Sequence, residues 1–149
     1  MNYLLNFAET LGYLMNDANV NESQLADGLE METATISRYL HAEYAPSLKS
    51  LIRFADYFHC STDYLLGRKP EYKKIDFQPC PEFSSQLKTL LKERKEKGLS
   101  GKTFCEDLNI SESSLYDWKS GKRQPSLANI LKIADYLHCS VDYLLGREK

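Results

Sequence analysis

Residues 125–147, PSLANILKIADYLHCSVDYLLGR, restate residues 46–68, PSLKSLIRFADYFHCSTDYLLGR, at a constant offset of 79 and without a gap. Fifteen of the 23 positions are identical, and an unbroken match of that density marks an internal repeat, which fixes the architecture before anything else does. Carried backwards, the same offset sets Leu11 on Leu90, Val20 on Leu99, Leu25 on Phe104, Leu29 on Leu108, Ile36 on Leu115 and Tyr39 on Trp118. Apolar positions coincide and the polar ones between them vary, as expected of one core carrying two different surfaces. The copies run from about Leu5 to Arg68 and from about Ser84 to Arg147, each about 64 residues long, a size that folds alone when mostly helical. The expected division is 1–68, a connector over 69–83 in which Pro70, Pro79 and Pro81 deny a regular helix, and 84–149.

In the second copy the spacing of Leu87, Leu90, Leu91 and Arg94 predicts a first helix over about Ser85 to Lys97, stopped at Gly98. Ser100 is placed to cap a second helix with Phe104, Cys105 and Leu108 on its apolar face, and Asn109-Ile110 make a short turn. Ser111 caps a third helix through about Lys119, with Leu115 and Trp118 turned to the core. Gly121 ends it, the basic loop Lys122 to Pro125 follows, and Ser126 caps a fourth helix with Leu127, Ile130, Leu131, Ala134 and Leu137 inward. A last turn spans Ser140 to Leu145. The first copy repeats this plan, with Asn21 and Gln24 forming a capping box and a third helix over about Thr33 to Leu40. No β-branched residues alternate over the length of a strand, so the expected class is all-α.

The chain's 149 residues hold 19 Lys plus Arg against 21 Asp plus Glu, which argues against a uniformly basic coat but leaves room for a local basic face. The charge is unevenly shared: residues 1–68 carry a net −5 and residues 84–149 a net +3. No stretch approaches the ~18 consecutive apolar residues needed to cross a bilayer, and no secretion signal opens the chain. A cytoplasmic protein with no membrane association is expected, its four cysteines reduced.

The run LSGKTFCEDLNISESSLYDWKSGKRQPSLANILKIADYLHCSVDYLLG (residues 99–146) resembles the Cro and phage-repressor type of helix-turn-helix domain, the XRE family, and the first copy keeps the closing STDYLLG. The resemblance implies two tandem lambda-repressor-like domains, each of about five short helices. In each, helix three would lie in the major groove of double-stranded DNA while helix two crosses the backbone. Carried onto this sequence, the base-reading positions are Glu112, Ser113, Tyr116 and Asp117 in copy two, and Thr33, Ala34, Ser37 and Arg38 in copy one. Positions i, i+1, i+4 and i+5 share one exposed helical stripe. Phosphate contacts would fall to Gly101, Lys102 and Thr103 at the start of helix two and to Lys119, Lys122 and Arg123 around the following loop. In copy one Gln24 stands in the place of Thr103, and the loop Leu40 to Tyr44 carries no fixed cation. Copy two is therefore expected to be the principal reader.

The implied function is sequence-specific DNA binding in transcriptional regulation, with repression as the usual consequence. The competing class is a protein-interaction module, an anti-repressor or adaptor, that keeps the scaffold without touching DNA. Acidic copy one, together with Glu112 and Asp117 on helix three, favours that alternative. From Arg68 to Phe83, 16 residues reach at most ~53 to 58 Å, which permits bridging of half-sites ~34 Å apart. Joining two weak readers raises their effective mutual concentration to the ~millimolar range.

Bland readings suffice elsewhere. His59-Cys60 and His138-Cys139 lack the paired spacing of zinc ligands. Their cysteines are expected in the core and their histidines in left-handed turns that end helix four. Cys80, between prolines, is expected to be exposed. The resemblance implies that Asp56-Tyr57, Asp63-Tyr64, Asp135-Tyr136 and Asp142-Tyr143 are scaffold and capping residues, and no nucleophile motif or glycine-rich phosphate loop is present, so no enzyme activity and no cofactor is expected. No small-molecule ligand is evident. Tyr3 and Tyr13 exceed what the first helix needs for its own core, and suggest a homodimer through copy one.

Overall fold

In the computed structural model, residues 3–68 and 82–147 are described, and the chain divides into two units, Met1–Phe77 and Gln78–Lys149. Each unit contains five helices and is all-α over its described residues. Among the described residues, no helix is long and apolar enough to cross a membrane. The connector expected over 69–83, Cys80 included, lies up to residue 81 outside the described residues.

In the first unit α1 spans Tyr3–Ala18, α2 Glu22–Leu29, α3 Thr33–Leu40, α4 Leu48–Phe58 and α5 Thr62–Leu65. Phe7, Leu11 and Leu14, spaced to share one face of α1, are buried together with Ala8 and Met15. Phe7, Tyr39 and Phe54 meet edge to face at centroid distances of 5.4 to 5.8 Å, tying α1, α3 and α4 together. Such pairs add ~0.5–1.5 kcal/mol each beyond the area they bury. The Asn21–Gln24 capping box forms as expected. His59 ends α4 in the left-handed region at φ 53°.

The second unit keeps the offset of 79 helix by helix: α6 Phe83–Glu96, α7 Gly101–Leu108, α8 Glu112–Ser120, α9 Leu127–Tyr136 and α10 Val141–Leu144. Ser100, Ser111, Ser126 and Ser140 each accept the backbone N–H three residues on, the expected caps. Such caps are typically worth ~1 kcal/mol each. Three expectations are corrected. Phe83, expected in the connector, opens α6 two residues earlier than the spacing suggested, because its ring has a core site to fill. Leu131 is only half-buried and Ile133 takes the inward place, the face of α9 being rotated slightly from the expected one. Cys139 is half-buried, whereas its counterpart Cys60 is fully buried.

The four-residue helices α5 and α10 are too short to hold themselves. After each, a glycine in the left-handed region, Gly67 at φ 75° and Gly146 at φ 78°, turns the chain. The following arginine then swings back to an aspartate five residues earlier. Arg68 Nε lies 2.9 Å from Asp63 Oδ1 and Arg147 Nε 3.0 Å from Asp142 Oδ1. The second pair is the more deeply sealed, its side chains 1% and 0% exposed. The aspartates of the DYLLGR segments are thus half of a buried clasp that the scaffold reading did not anticipate.

A second tie joins α9 to α7. The Tyr136 hydroxyl donates to Asp107 Oδ2 at 2.5 Å. In unit one Gly28 occupies the position of Asp107, and a Cβ there would approach the ring of Tyr57 to 2.8 Å. The hydrogen bond to Asp107, then slight desolvation and the carboxylate's charge, raise the Tyr136 pKa above 10.0.

Two outcomes are expected. Asp142→Ala, which strands a buried guanidinium, should destabilise unit two by ~3–5 kcal/mol, whereas Asp142→Leu combined with Arg147→Met should be far milder. Urea unfolding followed through Trp118, the sole tryptophan and a buried one, reports on unit two directly. A phenol with a raised folded-state pKa stabilises the fold while protonated, fully below pH ~10, and loses that contribution as pH rises through the raised value. The urea midpoint of Tyr136→Phe should therefore lie below the parent's at pH 7 and converge on it as pH climbs past 10.

Candidate nucleic-acid interface

In unit two, α7, the turn at Asn109 and α8 form the expected helix-turn-helix. Asn109 takes φ 55°, ending α7 and turning the chain toward the Ser111 cap. Leu115 and Trp118 anchor α8 in the core. The outward stripe then presents Glu112, Ser113 and Tyr116, and Tyr116 is 70% exposed. Ser113 shares a hydrogen bond with the capping hydroxyl of Ser111 at 3.2 Å.

Asp117, the fourth residue of the expected stripe, is engaged elsewhere. Arg123 Nε donates to its Oδ2 at 3.0 Å, and the Asp117 side chain is 19% exposed. Its backbone carbonyl accepts the N–H groups of Lys122 and Arg123 and the hydroxyl of Ser120. One residue thus folds the loop after α8 back on the helix end, fixing the backbone at Lys122 and Arg123 and the guanidinium of Arg123. Of the two carboxylates expected on the reading face, Glu112 alone remains without an ion-pair partner among the described residues.

At the start of α7, Lys102 and Thr103 are exposed. The amide of Thr103 is taken by Ser100 Oγ, which donates in turn to Thr103 Oγ1 at 3.0 Å. The amides of Gly101 and Lys102 belong to the first turn, which has no acceptor of its own within the helix. Lys119 is half-buried at the end of α8, and Lys122 and Arg123 are exposed. Beneath α8, burial first and the charge of Glu112 next push the Cys105 thiol up, against a smaller opposing effect of Lys119. Cys105 is therefore a neutral core residue at physiological pH.

Unit one inverts these charges. Thr33 and Ala34 are exposed on α3, Ser37 is half-buried, and the Ser37 backbone carbonyl lies 2.7 Å from His41 Nδ1. Arg38, the counterpart of Asp117, lies with Nε 3.8 Å from Glu43, the counterpart of Lys122. The helix carries the cation and the loop the anion, the reverse of unit two. Gln24 Oε1 accepts from the backbone N–H of Asn21 in the capping box, so that oxygen serves the helix end. The sequence signal for the Asp117–Arg123 pairing is an acid and a base six residues apart across Gly121, which the helical stripe alone does not reveal.

Residues 10–71 match the model of the Cro/C1-type HTH DNA-binding domain, and residues 90–144 match a helix-turn-helix family model. The HTH-type transcriptional regulator ImmR of Bacillus subtilis (strain 168) is 32% identical over 62 residues, 42% of this chain and 49% of that protein. The HTH-type transcriptional regulator AnsR of the same organism is 38% identical over 63 residues, 42% of this chain and 54% of that protein. The chain spans about half the length of these curated relatives. No solved structure matches. With one match in each unit, on helices that keep a single register, the chain belongs to the Cro and phage-repressor type of helix-turn-helix family as a tandem member.

Proposed function

We infer that the protein binds double-stranded DNA in a sequence-dependent way and regulates transcription, acting as a repressor by occluding the promoter. The observation that carries this reading is the joint presentation, by one helix-turn-helix, of an exposed α8 stripe and a cationic loop pinned by Asp117. Glu112, Ser113 and Tyr116 face the base edges in the major groove. Ser113 hydrogen-bonds, Tyr116 adds apolar contact, and Glu112 accepts from cytosine N4. Lys102, Thr103, Lys119, Lys122 and Arg123 meet phosphates, and Asp117 acts through Arg123 by positioning it. In unit one Thr33, Ala34, Ser37 and Arg38 form a weaker second reader, because the net charge of −5 over residues 1–68 opposes a polyanion.

A specific observation favours a second role for unit one. Tyr13 is 68% exposed on α1, more apolar surface than its own core uses. That face supports a homodimer through unit one, which would bring two copies of the basic unit to paired half-sites. Sedimentation of the full chain across a wide concentration range decides this; a constant monomer mass removes the dimer.

Duplex titrations of the full chain between 50 and 200 mM salt test the main reading. Lys122→Glu with Arg123→Glu should cost at least tenfold in affinity and lower the magnitude of the log–log salt slope by about two, at ~0.9 per phosphate lost. An unchanged slope, or no binding by the parent to genomic or random duplex, would favour the adaptor reading. Tyr116→Ala or Ser113→Ala should relax base preference by ~5- to 150-fold, the equivalent of ~1–3 kcal/mol, while leaving the salt slope alone.

A further inference from the structure

In unit two a cavity of about 420 Å³ opens where α6 passes the start of α7 and the end of α8. Its walls carry Lys88, Lys92 and Lys95 from α6 and Lys119 from α8, with Leu91 and Leu99 among the apolar contributors. No carboxylate lines it. The three α6 lysines stand at i, i+4 and i+7, one face of the helix. Among the described residues none of the four lysines makes an ion pair. The cavity also reaches Ser100 and Gly101, where α7 begins and where a residue without a side chain leaves the backbone open.

The fold does not require this concentration of cations, and the chain supplies its own control. Unit one builds the same five helices at an offset of 79, and there the four lysine positions are Glu9, Tyr13, Asn16 and Leu40, while Glu22 replaces Gly101. The same place in the scaffold is thus polycationic and open in one unit, and acidic or aromatic in the other. Four lysines lining one cavity, three of them exposed and one half-buried, concentrate like charge there, and a multiply charged anion offsets it. An anion of tetrahedral oxygens accepts both from ammonium groups and from first-turn amides. The volume lies in the range of small-ligand clefts, ~300–1,000 Å³.

We propose that this cavity is a binding site for linked phosphate groups, reached by Lys88, Lys92, Lys95 and Lys119. Two sources present that chemistry, a DNA strand running past α6 and a free polyphosphate. The first source rests on the proposed DNA-binding function, whereas the second does not.

The test uses the full chain and two variants of equal net charge: Lys92→Gln with Lys95→Gln inside the cavity, and Lys97→Gln with Lys132→Gln outside its lining. Inorganic triphosphate binding is measured at low salt by calorimetry, and duplex binding by its salt slope. The cavity variant should lose at least tenfold in triphosphate affinity, or lower the magnitude of the duplex slope by about two, while the control keeps most of both. Loss of duplex slope assigns the site to a DNA strand, and loss of triphosphate binding at unchanged duplex affinity assigns it to a free polyphosphate. Equal losses in both variants, or no loss in either, would overturn the proposal. Parent protein that binds triphosphate through the cavity but ignores every duplex would refute the DNA-binding function and leave this site standing.

Discussion

A carboxylate with no access to water cannot remain ionised without a partner, and each unit is closed by one that depends on an arginine five residues further on. Asp142 and Arg147 are almost completely sealed, and Asp63 and Arg68 repeat the contact with slightly more exposure. A helix of four residues contributes little stability of its own, so α5 and α10 owe their placement to this contact, to their serine caps and to their buried leucines. A domain of about 64 residues has ~3–10 kcal/mol of net stability in hand. Half of a broken clasp costs a large part of that. The core on which the outer helices are mounted is thus conditional on a polar contact at its end.

On that scaffold the two units distribute charge differently. Unit two gathers its cations at the start of α7, around the end of α8 and along one face of α6, and Asp117 holds Arg123 in the loop. Unit one has an arginine on α3 and a glutamate in the following loop, with α1 exposing Tyr13. The difference does not disturb the core, because the substituted positions are exposed or half-buried. Phe7, Tyr39 and Phe54 fill in one unit what Gln86, Trp118 and Ile133 fill in the other, with Gln86 donating to the backbone carbonyl of Tyr143.

Most of the fold was legible because its signals are local and repeated. The serine caps Ser47 and Ser126, and Ser61 and Ser140, the left-handed His59 and His138, and leucines at helical spacing recur at the same offset in both copies, which therefore corroborate each other. The prolines just before Phe83 read as connector, and only the three-dimensional core reveals that its ring has a place. Leu131 and Ile133 exchanged places because a run of aliphatic residues on α9 leaves the helix rotation undetermined by periodicity alone. At the candidate interface, exposure of Glu112, Ser113 and Tyr116 followed from the stripe. The pairing of Asp117 with Arg123 did not, since it depends on how Gly121 returns the chain. Lysines on a helix such as α6 ordinarily read as a solvated face, and it is the neighbouring ends of α7 and α8 that make theirs concave.

The reversed ion pairs, Arg38 with Glu43 and Asp117 with Arg123, bear on how such a chain diverges after duplication. The Arg38–Glu43 pair is exposed on both sides and worth ~0–1 kcal/mol, and Asp117–Arg123 keeps its arginine in solvent, so passing through an unmatched intermediate costs far less in folding than breaking a sealed pair. The buried clasp offers no such neutral path, since each single replacement strands a charge. Innovation is therefore channelled to the outer surface of the third helix and its loop, and one ancestral module could give rise to two with opposite electrostatic character while both kept the same skeleton.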